Sequence, residues 1–363
     1  MVLVDWRELY AQNQAAIAAA GVRLPATPAP EVPAAFNPQR HQPPMTSVLG
    51  RGSQIDDSVL VHVPADLDPT APVAAVCMLH GCTQNPASFE SATAMNDTAD
   101  RHGFVVVYPG QPRARNAQGC WNWFLPAHQQ RGTGEPELIA GIVRQLIAED
   151  SGQAIDPTRV FVAGLSSGGA MALILAVCYP DLFAAVAIHS GLPYRAAADV
   201  ASAFAVMGRA GANGAPDGYA VHAAMGEHAR PVPGLVIQGT ADRTVAPENA
   251  RLILAQLMHA DYLATPESRR HDPARPSSSQ DTRADGGHPY TDKRWVDAQG
   301  ALMYEAIDVH GLGHAWSGGI PGGSYTDPRG PSASEAIWAF FSEAGRVPTK
   351  TSVRAASDTA TRA

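Results

Sequence analysis

Between Val160 and Ala170 the sequence reads VFVAGLSSGGA, which sets Ser166 at the centre of a Gly-x-Ser-x-Gly pattern bounded by Gly164 and Gly168. A serine hydroxyl attacks an acyl carbon only when a base takes its proton, and the base needs a carboxylate to hold its ring. The chain supplies both downstream in the order serine, aspartate, histidine: Asp242 in GTADRTV and His314 in HGLGHAWSGG. The chemistry of such a set is acyl transfer. Its transition state gathers negative charge on the former carbonyl oxygen, which two backbone N–H groups normally meet. Ser167, directly after the serine, offers one, and Cys82 in VCMLHGCTQN is best placed to offer the other.

Other residues compete for each role. Asp217, Asp261 and Asp285 fall in inserts or at helix ends with no strand before them, whereas Asp242 follows an apolar strand run, so it is preferred over a structural turn aspartate. Among the thirteen histidines the competitor to His314 is His310. At a strand terminus His310 suits a packed or backbone-bonded ring, while the glycines around His314 make a loop free to reach the serine. His80 and His189 read as packing beside the site. Trp121 and Trp123 in CWNWF, and Trp316 just past His314, either form an aromatic mouth for an apolar or polymeric substrate or pack loops.

Positioning these groups requires a strand before the serine turn and a helix after it, because the turn is so sharp that its serine is strained and its glycines let strand and helix approach. Apolar runs predict strands over Ser58–Pro64, Val73–Leu79, Phe104–Tyr108, Val160–Ala163, Ala185–Ile188, Leu235–Ile237 and Met303–Val309. Helical spacing predicts helices over Pro86–His102, Glu137–Glu149, Ala170–Val177, Pro247–Met258 and Ala333–Phe341. Alternating βα units with continuous apolar strands mean a mostly parallel sheet covered on both faces, and right-handed crossovers limit it to a doubly wound α/β sheet. Serine, aspartate and histidine each following a strand in this order is the arrangement of the α/β-hydrolase fold. Tyr194–Pro233, with little periodicity, and the polar, turn-rich Ser268–Asp292 read as insertions over the active-site end of that sheet.

The division expected is an N-terminal helix (Asp5–Gly21) and Pro-rich arm (Pro25–Pro44) within residues 1–57, a single catalytic domain over 58–345 with inserts at about 194–233 and 268–292, and a flexible tail over 346–363. An apolar fraction of 45% with 17% charged residues suits a globular core. A net charge of −8, with no basic stripe, excludes a nucleic-acid partner. No apolar run reaches the length of a membrane span, and Asp5 and Glu8 stand where a secretory signal would be basic, so a cytoplasmic location is expected. The four cysteines lack metal-ligand spacing, and no cofactor or metal is called for. Cys77 and Cys178 read as core residues; Cys82 and Cys120 flank loops and could pair, which would sit awkwardly in a reducing compartment.

Taken together, LHGCTQN, YPGQ with CWNWF, GLSSGGAMA, GTADRTV and GHAWSGG, in this order, resemble the catalytic domain of poly(3-hydroxybutyrate) depolymerases and the related esterases grouped with them. The resemblance covers roughly Val59–Phe341. It implies a serine hydrolase with Ser166 as nucleophile, Asp242 as acid, His314 as base and Cys82 at the oxyanion, and it implies a Cys82–Cys120 disulfide. Secreted members of that family carry a signal peptide, a linker and a polymer-binding domain. This sequence departs from all three, so the expectation is the intracellular kind, acting on stored polymer at a granule surface, with adsorption through the catalytic domain or the helix bearing Trp6. The same departure leaves two alternatives: a short-acyl or aryl (feruloyl or acetyl) esterase without polymer activity, and a non-catalytic granule-associated protein.

Overall fold

Strands made of small and β-branched apolar residues without polar alternation have two faces to bury, and they end up in the middle of a sheet with helices on both sides. The computed structural model describes residues 59–148, 153–212, 218–266, 271–283 and 286–344. The expected N-terminal helix with Trp6, the Pro-rich arm and the C-terminal tail lie outside the described residues.

The strands are β1 (Leu60–His62), β2 (Val73–Leu79), β3 (Val105–Tyr108), β4 (Ile155–Leu165), β5 (Ala185–His189), β6 (Gly234–Gly239), β7 (Ser278–Arg283), β8 (Pro289–Val296) and β9 (Leu302–Val309). They form one sheet in the order β1-β3-β2-β4-β5-β6-β9-β8-β7. From β3 through β9 the pairs are parallel; β1 at one edge and the β8–β7 hairpin at the other are antiparallel. The chain steps outward from β2 to β3, then returns across β2 to β4 and proceeds the other way. Loops leaving β2 and β4 therefore diverge, and the crevice at the carboxyl ends of those two strands is where open α/β sheets place their sites.

Two layers of helices cover the sheet. Helix α4 (Ser167–Cys178) is buried at every residue, which explains its continuous apolar sequence, and it packs on β4 and β5 beneath α3 (Gly134–Ala148) and α6 (Gly218–Met225). Helix α8 (Ala333–Ala344) packs against β5, β6 and β9, with Phe341 stacked on Phe161 at 4.6 Å. Its Trp338 stacks on Phe104 at 4.0 Å. Helix α7 (Glu248–Ala264) packs on β6 and α6.

Three sequence expectations are corrected. The helix expected over Pro86–His102 is two, α1 (Pro86–Thr93) and α2 (Met95–His102), broken where Ala94 turns to φ 56°. Tyr194–Pro233, expected as an insertion with little periodicity, holds two helices, α5 (Val200–Gly208) and α6. The start of α5 is capped by Asp199, which accepts from the Ser202 N–H at 2.7 Å while the Ser202 hydroxyl receives the Asp199 N–H at 3.1 Å. Alanine favours helix strongly but adds no apolar periodicity, so a pattern search passes over it. Ser268–Asp292 is not a cover over the sheet end; most of it belongs to the β7–β8 hairpin, which extends the sheet. Strand β7 is almost wholly exposed and polar, as suits an edge that must not pair further.

Candidate active site

Ser166 leaves β4 at φ 58° and ψ −117°, a conformation costly for any residue with a side chain and tolerated only when its surroundings impose it. The surroundings here are backbone. A Cβ on Gly168 would lie 2.1 Å from the Leu79 carbonyl oxygen, and one on Gly164 2.4 Å from the Gly168 backbone. Only glycine lets β2, β4 and α4 close to this distance. The Ser166 N–H donates to the His189 carbonyl at 2.9 Å, pinning the turn to the end of β5. Ser166 is 7% exposed.

Asp242 and His314 leave the ends of β6 and β9, neighbours in the sheet, and so they meet across 72 residues of sequence. His314 Nδ1 donates to Asp242 Oδ2 at 2.7 Å. The carboxylate also accepts the N–H groups of Thr244 and Val245, each at 2.9 Å, and Nε2 of Gln238 at 3.2 Å. Burial works to raise its pKa; the hydrogen bond and charge of His314, with the two N–H groups, outweigh it and hold Asp242 below its usual value. With Nδ1 committed to Asp242, Nε2 of His314 is the nitrogen that remains for proton transfer. His310, the competitor, is exposed and its Nε2 sits 2.9 Å from the Thr291 hydroxyl on the hairpin.

Opposite lies the loop after β2. Among the described residues no hydrogen bond engages the backbone N–H of Cys82 or of Ser167. The two segments are close: a Cβ on Gly81 would lie 3.6 Å from that of Ser166. Cys82 is disulfide-bonded to Cys120. His80 lies behind the loop, and burial, against a hydrogen bond to the Gly81 carbonyl, pushes its pKa down to about 4. Neutral, it has one arrangement that satisfies both nitrogens: Nε2 accepts the Gln111 N–H at 3.1 Å, so Nδ1 donates to Gly81 O at 2.8 Å.

His189, expected only to pack, does more. Its Nε2 accepts the Ser317 N–H at 3.2 Å and its Nδ1 lies 3.1 Å from the Ser190 hydroxyl. Burial first, then the nearby His314, lower its pKa to about 3 against the opposing charge of Asp242, so it too stays neutral. Gln84 is another residue that pattern reading passed over: its Oε1 accepts the Gly81 N–H at 2.9 Å and its Nε2 donates to the Ser324 carbonyl at 2.9 Å. Here the short strands β10 (Trp316–Ser317) and β11 (Thr326–Asp327) pair and fold the loop past His314 back toward Gln84. His288 bridges that loop to the hairpin side, contacting the His310 carbonyl and Asp327. Nothing local distinguishes Gln84 or His288 from any polar loop residue.

The aromatic mouth is corrected. Trp121, Trp123 and Trp316 are 2%, 4% and 1% exposed, and their rings are packed inside. Trp121 donates Nε1–H to the His80 carbonyl at 3.1 Å, Trp123 meets Phe124 edge-on, and Trp316 stacks on His189 with ring centres 5.2 Å apart. Trp121 also lines a shallow, half-open hollow with Pro109, Arg115, Glu135 and Ile142, which includes none of Ser166, Asp242 and His314. These indoles brace the loops of the site. Among the described residues no helix is long and apolar enough to cross a membrane.

The family model described as Esterase PHB depolymerase matches residues 48–277. Poly(3-hydroxyalkanoate) depolymerase C of Paucimonas lemoignei is 35% identical over 262 residues, covering 70% of this chain and 57% of that protein. Feruloyl esterase B of Neurospora crassa is 38% identical over 131 residues, 36% of this chain and 43% of its own. The chain thus spans about half the length of the curated relatives it matches. Among solved structures, an acetyl xylan esterase from Aspergillus awamori superposes with a TM-score of 0.59 at 20% identity, over 78% of this chain and 93% of that one, a likeness of fold.

Proposed function

The chain belongs to the Esterase PHB depolymerase family, and from that premise we propose that it hydrolyses ester bonds of poly(3-hydroxybutyrate) or its oligomers through an acyl-enzyme. The observation that carries this reading is the 2.7 Å bond from His314 to Asp242, made at the ends of β6 and β9 in the same sheet whose β4 ends in the strained turn at Ser166. Ser166 Oγ attacks the ester carbonyl while His314 Nε2 takes its proton, and Asp242 stabilises the imidazolium. The oxyanion of the tetrahedral intermediate is met by the N–H groups of Cys82 and Ser167, both without other partners among the described residues. His314 then gives its proton to the departing alcohol. Water, deprotonated by the same histidine, attacks the acyl-enzyme, releasing the 3-hydroxy acid and restoring Ser166.

Similarity to a feruloyl esterase favours a second reading, cleavage of small aryl or acetyl esters. Purified protein is assayed on amorphous polyhydroxybutyrate granules beside feruloyl and acetyl esters. Release of 3-hydroxybutyrate supports the first reading, and turnover of the small esters alone supports the second. Ser166→Ala is expected to abolish turnover on every substrate, and wild-type kcat in that variant would overturn the serine mechanism; no labelling of the wild type by a fluorophosphonate would favour a non-catalytic role at the granule. The location proposed with the first reading is the cytoplasm, at the granule surface. Against it stands the Cys82–Cys120 disulfide, since cytosolic thiols are kept reduced. Alkylating thiols before cells are fractionated shows where the protein is and whether that bond is made.

A further inference from the structure

Tyr325 is 46% exposed on the loop past His314, among few large apolar side chains left outside the core of the described residues. Its backbone sits at φ 51°, a region that bulky residues rarely enter unless the surrounding structure requires it. The requirement is visible. The Tyr325 carbonyl accepts the Trp316 N–H at 2.6 Å, and the preceding Ser324 carbonyl is held by Gln84, which also holds the N–H of Gly81. The ring thereby stands edge-on to His314, with centres 6.3 Å apart. Its hydroxyl reaches the other wall of the site, 3.4 Å from the hydroxyl of Thr83, the residue after Cys82.

Tyr325 thus spans from the base to the oxyanion loop. At 3.4 Å the Thr83 contact is long for a hydroxyl pair, and among the described residues the phenol has no other partner. A half-exposed ring carrying an unspent O–H, held beside the reacting groups at a cost in backbone strain, suits a substrate with apolar backbone and a second hydrogen-bond acceptor near the bond that breaks. An oligoester has that acceptor: the carbonyl of the adjoining repeat. A simple ester of the same acyl length has none.

We propose that Tyr325 determines specificity for oligoesters by packing its ring against the chain and donating its hydroxyl to the neighbouring ester carbonyl. The inference rests on the polyester reading above and names the residue that would select for it. The test compares kcat/KM on the 3-hydroxybutyrate trimer with that on p-nitrophenyl butyrate, for wild type and for Tyr325→Phe. Phenylalanine keeps the ring and the backbone conformation and removes only the hydroxyl. The ratio of trimer to p-nitrophenyl ester is expected to fall about three- to tenfold, the factor carried by one net hydrogen bond. An unchanged ratio, with the trimer still cleaved by both proteins, overturns the role of Tyr325 and leaves the polyester reading intact. Failure of the wild type to cleave the trimer overturns both.

Discussion

The backbone N–H of Ser166 donates to the carbonyl of His189 at 2.9 Å, and the ring of the same histidine receives the N–H of Ser317 at 3.2 Å. One buried residue at the end of β5 therefore ties the strained turn of Ser166 to the loop that carries His314. Its neutrality is part of the arrangement, because only an unprotonated Nε2 can accept the Ser317 N–H.

Asp242→Asn is expected to lower kcat by about three to four orders of magnitude with little change in KM. The asparagine keeps the volume but loses the charge that stabilises the imidazolium, and it can hold the ring in the wrong tautomer. His310→Ala is the matched control: its ring lies on the hairpin, bonded to Thr291, and kcat should stay within about twofold of wild type. Steady-state kinetics on a p-nitrophenyl ester decide, and a collapse of kcat in the His310 variant would reassign the base.

Acid should destabilise the fold in a definite window. His80 and His189 have folded pKa values lowered to about 4 and about 3 from an ordinary 6.5, so between those limits the unfolded chain binds more protons. The stability they contribute is whole above pH 6.5 and drains as pH falls, by about 1.4 kcal/mol per pH unit for each histidine. Glu305 opposes them: burial, with Asp292 nearby, raises its pKa to about 7, so between pH 7 and its ordinary 4.5 it binds a proton in the fold first. From these three groups, urea midpoints measured against pH should therefore fall most steeply between pH 4.5 and 4, and Glu305→Gln should steepen the part above pH 4.5. A curve flat from pH 6.5 to 4 in that variant would mean that the two histidines are not buried neutral.

Reducing the Cys82–Cys120 disulfide should cost both stability and catalysis. The bond closes a loop across a sequence separation of 38, which by chain entropy is worth about 4 kcal/mol. It also anchors the residue whose N–H is assigned to the oxyanion, so kcat should fall more than KM rises. Cys120→Ser, assayed with thermal unfolding in parallel, separates the two effects: a lower midpoint at unchanged kcat would confine the disulfide to stability.

What could be read without coordinates was what short stretches encode. Periodicity and turn residues mark the βα alternation, and the glycines around Ser166 mark a turn that sterics reserve for them. Strand ends followed by loops put Asp242 and His314 in the order the fold needs. Where those local signals fade, reading failed. The alanine-rich stretch holding α5 has propensity without a stripe, and the β7–β8 hairpin is too polar to look like strands although Asp285-Gly286 between its arms is a turn signal.

By itself, then, the sequence determined the layered sheet and the chemistry available at the ends of its strands, because those depend on residue type and spacing along the chain. Tertiary structure alone decided which distant groups meet. Packing turned Trp121, Trp123 and Trp316 inward, made His189 a neutral bridge, set Gln84 between two loops, and left Tyr325 standing between His314 and Thr83. Such contacts join residues far apart in the chain, and no local pattern records them, because they are set by which strands lie side by side and by what space remains between their loops.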